Sequence, residues 1–337
     1  MFSQDFYCLK KIPTNYIIFR KTKTEFNSIE NVFNTVTSFI KNDVKKIELP
    51  NDSKGVLPRL KNIWFVRNLT AKIIHITGHD HYLILGLRNK KTILTIHDIE
   101  VLKRNKGIKR LLLKKLWFDW PIKYSSVVTT ISNFTKQELL ELNNYTTPIK
   151  VIHNPLTLSI KYTPKDFNSN KPNILQIGVK TNKNIYRLIE ALNGISCHLT
   201  IIAKPNSEII AALNKNNVMH TFKSGLTNDE MIEEYYKCDL VSFVSTYEGF
   251  GLPIIEAQAA GRLVLTSNIA SMPEIAGDSC LMVNPFSVSE IRDGIMKLIQ
   301  NENIRNEFIL KGLKNIERFQ PKIIADRYLE LYNNLNK

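Results

Sequence analysis

Two glutamates flank a glycine-containing turn in residues 248–260 (EGFGLPIIEAQAA), and their spacing suits the binding of a polyol. Glu248 begins the segment, and Glu256 follows eight residues later, about one turn into a predicted helix. An ionised carboxylate only accepts hydrogen bonds, so two of them can hold several sugar hydroxyls at once. The alternative is purely structural: the glycines form a tight turn, and Glu256 caps it.

The glycines of this segment predict a close approach between backbone and ligand. Gly249 and Gly251 carry no Cβ atom, and Pro253 suits the first turn of the helix that follows. The beginning of a helix presents amide N–H groups and the positive end of the helix dipole, which favour a phosphate or a polar sugar. We therefore expect this loop to contact an anionic or hydroxyl-rich ligand.

A second predicted phosphate site lies in residues 174–192 (ILQIGVKTNKNIYRLIEAL). A buried strand ends at Gly178, a short basic loop follows, and Asn184 precedes a helix. Lys183 in that loop would bring a mobile positive charge to a phosphate. The alternative is an ordinary solvated lysine.

Histidines follow two other predicted strands. His97 and Asp98 come directly after residues 92–96, where polar groups of a doubly wound sheet face a cleft; a histidine bonded within the strand end is the alternative. His75, His79 and His81 crowd a second strand end, where a metal site, an acceptor pocket lined by His79 or His81, and ordinary loop roles all stay open. Because the sequence shows no D-x-D carboxylate pair, the metal site is the alternative that we do not expect among these three.

The elements that position these residues alternate between short β-branched runs and longer amphipathic stretches. This alternation predicts an α/β protein with two doubly wound parallel sheets, joined by a polar linker with prolines at residues 154–171. Ligands of such sheets lie at the carboxyl ends of the strands, so the motifs should face one another across a cleft. Within the first half, a helix is predicted over residues 133–142, with Asn133 as its N-cap.

The net charge of +15 is confined to the first half of the chain. Residues 1–165 hold 28 Lys and Arg against 12 Asp and Glu, whereas residues 166–337 hold 18 against 19. The excess is densest in residues 103–123, where eight basic residues interleave with apolar ones and Asp119 is the one acid. Two interpretations stay open: an interfacial helix on anionic lipid, or a core-facing helix with a solvated basic face. Nucleic acid is a weaker alternative and is not expected as a partner.

Composition excludes several classes of protein. With 43% hydrophobic residues the chain is not wholly disordered. Its four cysteines are far apart without a C-x-x-C, which disfavours a disulfide scaffold and fits a reducing compartment. No apolar run reaches the roughly 20 residues of a membrane span, and the N-terminus lacks a signal sequence, so we expect a cytoplasmic protein. The interfacial interpretation of residues 103–123 would place it at the inner face of the cell membrane. The absence of G-x-G-x-x-G disfavours a dehydrogenase.

Glu248 and Glu256, within E-G-F-G-L-P-x-x-E-A, resemble the E-x7-E signature of the retaining glycosyltransferases of family 4, which have the GT-B fold. The resemblance extends over nearly the whole second half of the chain and is weaker in the first. Its further matching segments are residues 260–264, 271–277, 283–285, 74–78, 95–98 and 130–135.

The resemblance implies an architecture and a division of labour. Residues 1–160 would form a basic Rossmann-like domain that binds the acceptor, and residues 161–320 a second one that binds a nucleoside-diphosphate sugar. Residues 321–337 would be a helix that crosses back to the first domain.

The resemblance also implies roles for individual residues. Glu256 would bind the ribose hydroxyls, Glu248 and His97 would contact the donor sugar, and three backbone positions would hold sugar hydroxyls and the distal phosphate: Phe250, Gly251 and Leu252. No covalent nucleophile is established for the family; the leaving phosphate is proposed to assist deprotonation of the acceptor.

The phosphate loop departs from the family pattern at one position. Family members place an arginine soon after the glycine and a lysine later. Lys183 after Gly178 matches the lysine, but position 179 is Val, so Lys180 would replace the arginine as a point charge. The glycine-rich loop after the first strand is also missing, and Arg20, Lys21 and Lys23 could meet an anionic acceptor there instead.

The resemblance predicts transfer of a hexose-type sugar to a glycan or lipid-linked acceptor, with retention of configuration and without a metal, in polysaccharide or lipopolysaccharide assembly. A UDP-sugar is the first expectation for the donor and a GDP-sugar the second. Two rival functions stay open: a sugar-nucleotide epimerase of the same fold, and a non-catalytic protein that binds polyanions.

Overall fold

Two six-stranded sheets, all of whose strand pairs are parallel, form the framework of the computed structural model, which describes residues 15–21, 28–41 and 43–337. The predicted fold class is confirmed. Lys23, one of the cations proposed for the acceptor, and Cys8 lie outside the described residues. The three cysteines in the described part of the chain, Cys197, Cys238 and Cys280, are buried and unpaired.

The first sheet has the strand order β2-β1-β3-β4-β5-β6. Its strands are β1 (Asn15–Phe19), β2 (Val44–Glu48), β3 (Ile73–Ile76), β4 (Lys91–Ile96), β5 (Val127–Thr130) and β6 (Ile149–Val151). Its helices are α1 (Ser28–Phe39), α2 (Val56–Arg67), α3 (Glu100–Lys103), α4 (Gly107–Lys114), α5 (Trp120–Tyr124) and α6 (Asn133–Leu142). The first half of the chain also contains a 3-10 turn (His81–Gly86) and a π turn (Lys115–Asp119). The central strands are buried on both faces, as β-branched runs require in a parallel sheet.

The second sheet has the order β12-β11-β10-β7-β8-β9. Its strands are β7 (Asn173–Ile177), β8 (His198–Ile202), β9 (Met219–Lys223), β10 (Leu240–Phe243), β11 (Leu263–Ser267) and β12 (Leu281–Val283). Its helices are α7 (Ile185–Leu192), α8 (Ser207–Lys215), α9 (Asn228–Lys237), α10 (Leu252–Ala259), α11 (Met272–Ala276), α12 (Val288–Gln300) and α13 (Glu302–Asn315). The strand order reverses between β7 and β10, and ligands of open sheets bind at such a point. Both motif loops follow these two strands.

The last helix, α14 (Pro321–Asn336), packs against residues of the first sheet. Tyr328 and Tyr332 are fully buried among apolar side chains of α1 and the first sheet. The hydroxyl of Tyr332 lies 2.8 Å from Nδ1 of His75 in β3. The end of the chain is thus part of the first hydrophobic core.

Helix α6 has the predicted bounds, but the predicted cap is wrong, because its N-cap is Ser132 and not Asn133. The Ser132 hydroxyl accepts a hydrogen bond from the Thr135 amide at 3.1 Å. Asn133 instead donates its backbone amide and its side-chain N–H to Glu274 of α11, which lies between β11 and β12 of the second sheet. The carboxylate of Glu274 therefore lies at the beginning of α6, where the helix dipole favours a negative charge.

We expect Glu274→Gln to destabilise the protein by about 1–3 kcal/mol at neutral pH. Burial raises the pKa of the Glu274 carboxyl, but hydrogen bonds from His153 and from the amides of Asn133 and Phe134 outweigh it and leave the pKa below its ordinary value of 4.5. The stability that the carboxylate contributes is present above that ordinary value and lost as the pH falls through the lower folded value. The difference between Glu274→Gln and wild type in urea unfolding should therefore shrink below pH 4.5, while the exposed control Glu317→Gln matches wild type throughout.

Candidate active site

A cleft of about 330 Å³ brings residues of both halves together at the carboxyl ends of their strands. His97 follows β4 of the first sheet; Lys183, Glu248 and Glu256 come from the second half of the chain. The glycine loop, residues 249–253, forms another part of the wall. Chemistry-bearing residues up to 159 positions apart in the chain therefore face one space.

Glu248 and Lys183 form an ion pair within the cleft. The Lys183 ammonium lies 2.6 Å from Oε1 of Glu248 and 4.9 Å from the centre of the Phe243 ring. The side-chain amide of Asn182 donates to the same carboxylate oxygen at 3.2 Å and to the Tyr247 carbonyl at 3.0 Å. The pair is held from both motif loops, and the ammonium keeps further N–H groups for an anionic ligand.

The structure explains why residue 249 is a glycine by a contact within the protein, whereas the sequence predicted a close approach to a ligand. A Cβ atom at this position would lie 2.1 Å from the carbonyl oxygen of His97, so glycine lets the loop touch the backbone of the other half. The Ser132 hydroxyl donates to the Gly249 carbonyl at 2.7 Å. Gly251, with φ +118°, adopts the left-handed conformation that begins α10.

Gly249→Ala should therefore destabilise the protein by about 1–3 kcal/mol, since backbone and not a flexible side chain occupies the space of the new methyl group. Gly78→Ala is the matched control, because no atom lies within 4 Å of its Cβ position. Thermal unfolding of both variants measures the difference. A Gly249→Ala protein as stable as Gly78→Ala would show that the loop does not rest on His97.

Glu256 is buried at the first turns of α10, and it does not cap the glycine turn as the structural alternative required. Its Oε2 accepts a hydrogen bond from the Tyr235 hydroxyl at 2.6 Å, and its Oε1 lies 3.4 Å from the Thr157 hydroxyl. Burial raises the pKa of the carboxyl, partly offset by these hydrogen bonds. A second, largely apolar cavity of about 170 Å³, lined by Leu158 and other apolar side chains, also borders Glu256.

His97 is buried with its ring at the wall of the cleft. Its Nε2 lies 2.7 Å from the Thr77 carbonyl oxygen, which can only accept, so Nε2 carries the proton in the neutral ring. Burial and the neighbouring His79 lower the pKa of His97 to about 4. At neutral pH the ring is therefore uncharged, and Nδ1 is an acceptor for a hydroxyl. Asp98 accepts from the Glu100 amide at 2.9 Å.

The phosphate loop places its two lysines differently. Gly178 has φ +80° and lies against the aliphatic part of the Lys183 side chain. A Cβ atom at position 178 would lie 3.4 Å from Cγ of Lys183. Lys180 is exposed to solvent outside the wall of the cleft. Arg20, expected to face an acceptor, holds Glu30 through two hydrogen bonds of 2.6 and 2.9 Å.

The three clustered histidines take separate roles. His75 is buried between Tyr332 and Thr95, and His81 is buried with Nδ1 2.6 Å from the Trp117 carbonyl, so His81 does not line the cleft whereas His79 does. Over residues 15–21, 28–41 and 43–337, no group of three His, Cys, Asp or Glu side chains is arranged to hold a metal ion.

Within the same ranges, no helix is long and apolar enough to span a membrane.

Sequence reasoning missed several residues of the site because their signals are not local. Asn154 lines the cleft from the segment after β6, and its buried Oδ1 has no hydrogen-bond partner in the described part of the chain. Tyr235 and Asn182 hold the two glutamates. Asn182 lies beside Lys183 in the phosphate loop, so its polar side chain was a signal that could have been used; Tyr235 offered none.

The chain matches two family models that adjoin one another. Residues 29–159 match "Glycosyltransferase Family 4", and residues 162–315 match "Glycosyl transferases group 1". The chain is 24% identical over 303 residues to O-antigen chain mannosyltransferase B of Escherichia coli, a match that covers 82% of this chain and 77% of that protein.

Two further proteins illustrate the likeness. The serotype-specific mannosyltransferase WbdA of Escherichia coli is 39% identical over 114 residues, which cover 34% of this chain and 14% of that protein. The crystal structure of HepE from Anabaena in complex with UDP and glucose superimposes with a TM-score of 0.76 at 15% identity, covering 95% of this chain and 99% of that one. The structural likeness shows that the two proteins share a fold.

Proposed function

Since the chain belongs to the family 4 glycosyltransferases, with one family model on each half, we propose that it transfers a hexose-type sugar from a nucleoside-diphosphate sugar to a glycan or lipid-linked acceptor, with retention of configuration. The convergence of Lys183, Glu248, Glu256 and His97 on one cleft carries the proposal. The product would enter a polysaccharide or lipopolysaccharide.

The donor would lie along the second half of the chain. Its base would enter the apolar cavity beside Glu256, and its ribose hydroxyls would donate to the Glu256 carboxylate. The diphosphate would meet the Lys183 ammonium and the backbone amides of Gly251 and Leu252, with Lys180 approaching from solvent at Gly178. This arrangement is supported by the order of these groups along the wall, from the apolar cavity to the ion pair.

The sugar would then lie between the two halves. Glu248 and the backbone of Phe250, Gly251 and Leu252 would bind its hydroxyls, and the unprotonated Nδ1 of His97 would accept another. Asn154, whose buried Oδ1 faces no protein donor among the described residues, would accept a further hydroxyl from sugar or acceptor.

Catalysis would depend on stabilising the diphosphate as it leaves. The Lys183 ammonium and the backbone amides of Gly251 and Leu252 would be held by the two loops before reaction, which is the condition for a large electrostatic contribution. The acceptor hydroxyl would attack from the face on which the diphosphate leaves, giving its proton to the departing phosphate. We propose that these groups neutralise the diphosphate without a divalent ion, so activity should persist in EDTA.

A mannosyl donor is a second candidate, favoured by the relatives. Both named Escherichia coli proteins are mannosyltransferases, and one of them is 39% identical over 114 residues of this chain. The HepE complex, which holds UDP and glucose, favours instead the UDP-sugar that we take as the first donor to test.

The test is a thermal-shift panel of UDP-, GDP-, ADP- and dTDP-sugars, followed by a transfer assay with the donor that binds. Ligand at 100 times its dissociation constant adds about 2.7 kcal/mol to stability. We expect a shift with one nucleotide class, and a product whose anomeric configuration by NMR matches that of the donor. Conversion of the donor to an epimer without any acceptor would contradict the proposal in favour of the epimerase.

A further inference from the structure

Helix α4 turns its apolar stripe to solvent. Ile108, Leu111 and Leu112 share one face of the helix, and their side chains are 77%, 62% and 55% exposed. No residue of α4 is buried. Leu113, on another face of the helix, packs against the core of the first half. The core-facing interpretation that the sequence left open is therefore wrong for the stripe of Ile108, Leu111 and Leu112.

Helix α2 exposes a second apolar stripe. Leu57, Leu60 and Trp64 lie at helical spacing, and Leu57 and Trp64 are 72% and 70% exposed. Arg59 of α2 lies 5.0 Å over the ring of Trp117, in the π turn that continues α4. We call the exposed side chains of both stripes, together with that junction, the α2–α4 surface; its apolar members are Leu57, Leu60, Trp64, Ile108, Leu111 and Leu112.

Exposed cations lie on the same two helices as these apolar side chains. Lys106, Lys109, Arg110 and Lys115 belong to α4 or its ends, and Lys61 belongs to α2; all are exposed. A surface that combines Leu, Ile and Trp with lysines fits the boundary between lipid headgroups and acyl chains. A second copy of the chain would bring cations against cations in a twofold contact, and a nucleic acid would leave the aliphatic side chains without a partner.

We infer that the α2–α4 surface docks on an anionic lipid bilayer. This surface is connected to the cleft through Trp117: its indole N–H donates to the His79 carbonyl at 3.0 Å, and His79 lines the cleft. Docking would hold that wall of the cleft next to the lipid, where a lipid-linked acceptor is presented. The docking stands independently of the proposed function, and only this use of it rests on that function.

Co-sedimentation of the full chain with vesicles tests the inference. We expect binding to vesicles of phosphatidylcholine and phosphatidylglycerol in equal parts and not to phosphatidylcholine alone. Because all three tryptophans, Trp64, Trp117 and Trp120, lie on or beside this surface, their emission should shift to the blue on binding. Trp64→Phe should lose much of that shift.

Two sets of variants separate the apolar and the charged contributions. Ile108→Gln with Leu112→Gln should abolish binding, and replacing Lys109, Arg110 and Lys115 by Gln should lower the vesicle partition coefficient about 100-fold. Leu310→Gln, at a 69% exposed position of α13, and Lys204→Gln with Lys215→Gln, at exposed positions of the other half, are the matched controls and should bind like wild type.

The outcomes are distinguishable from those of the donor test. Vesicle binding that survives in both surface variants would overturn the inference. So would self-association that disappears in Ile108→Gln with Leu112→Gln while vesicles are not bound, or preferential binding of an oligonucleotide. The nucleotide-sugar thermal shift should be unchanged in every surface variant, and its absence from wild type would count against the proposed function alone.

Discussion

Glu256→Gln is expected to abolish the donor-induced thermal shift and to lower kcat/KM by about 10²–10⁴-fold. The carboxylate would accept two ribose hydroxyls, and each hydrogen bond to a charged group is worth about 1.5–3 kcal/mol. Glutamine keeps the shape of the side chain but replaces one acceptor oxygen by a donor. The panel of nucleotide sugars and steady-state kinetics measure both effects.

The same substitution should not weaken the fold. Because burial raises the pKa of Glu256, its carboxyl contributes most to stability below its ordinary pKa, and that contribution is lost as the pH rises through the raised folded value. Glutamine carries no charge, so it avoids the cost of burying a carboxylate at neutral pH. The ligand-free variant should therefore have a free energy of unfolding in urea at neutral pH equal to or higher than that of wild type. Tyr235→Phe, which keeps the carboxylate, is the control and should retain the donor shift. A Glu256→Gln enzyme of wild-type kcat/KM would remove Glu256 from the donor site.

Lys183→Ala is expected to lower kcat by about 10²–10³-fold, the range found when one group that stabilises a developing negative charge is removed. The ammonium lies at the wall of the cleft, 2.6 Å from Glu248, and would be the nearest side-chain cation to the leaving diphosphate. The two side chains of the ion pair are 19% and 16% exposed, so Lys183→Ala leaves a mostly buried Glu248 carboxylate, which Asn182 still supports with a hydrogen bond, and should cost about 1–3 kcal/mol of unfolding free energy. Kinetics and urea unfolding of the same preparation separate the two effects.

Lys180→Ala is the matched control, since this lysine is exposed and lies outside the wall of the cleft. We expect a much smaller loss of kcat from it than from Lys183→Ala. Equal losses would show that Lys180 does replace the family's arginine as a second point charge on the diphosphate. A fully active Lys183→Ala enzyme would leave the diphosphate without the proposed partner.

The positions of Glu248, Glu256 and Lys183 in a common cleft could be predicted because each follows a strand of a parallel sheet. In such a sheet the strands end at the same edge, so a local pattern of strand, loop and helix places its loop at that edge. The bounds of α6 could also be read from residue types, because they are set by the local hydrophobic pattern and by the residues that flank the helix.

The contacts of these residues could not be predicted, because their partners are distant in the chain. Tyr235 on α9 and Glu256 on α10 meet only because α9 and α10 pack into the same hydrophobic core beside the second sheet. Asn133 was predicted as a helix cap, yet Ser132 takes that position while Glu274, 141 residues away, occupies the free amides. Gly249 is required by the backbone of His97, which no local pattern announces.

The sequence by itself determined the period of each element, the two parallel sheets and the E-x7-E loop with its family, because these depend on neighbours within one or two turns. Only the tertiary structure decided what each amphipathic face meets. Hydrophobic periodicity reveals that α4 carries an apolar stripe, but a stripe is equally regular whether it faces a core or solvent. Which of the two it faces depends on the side chains that other segments bring to it, and for Ile108, Leu111 and Leu112 the described chain brings too few to cover them.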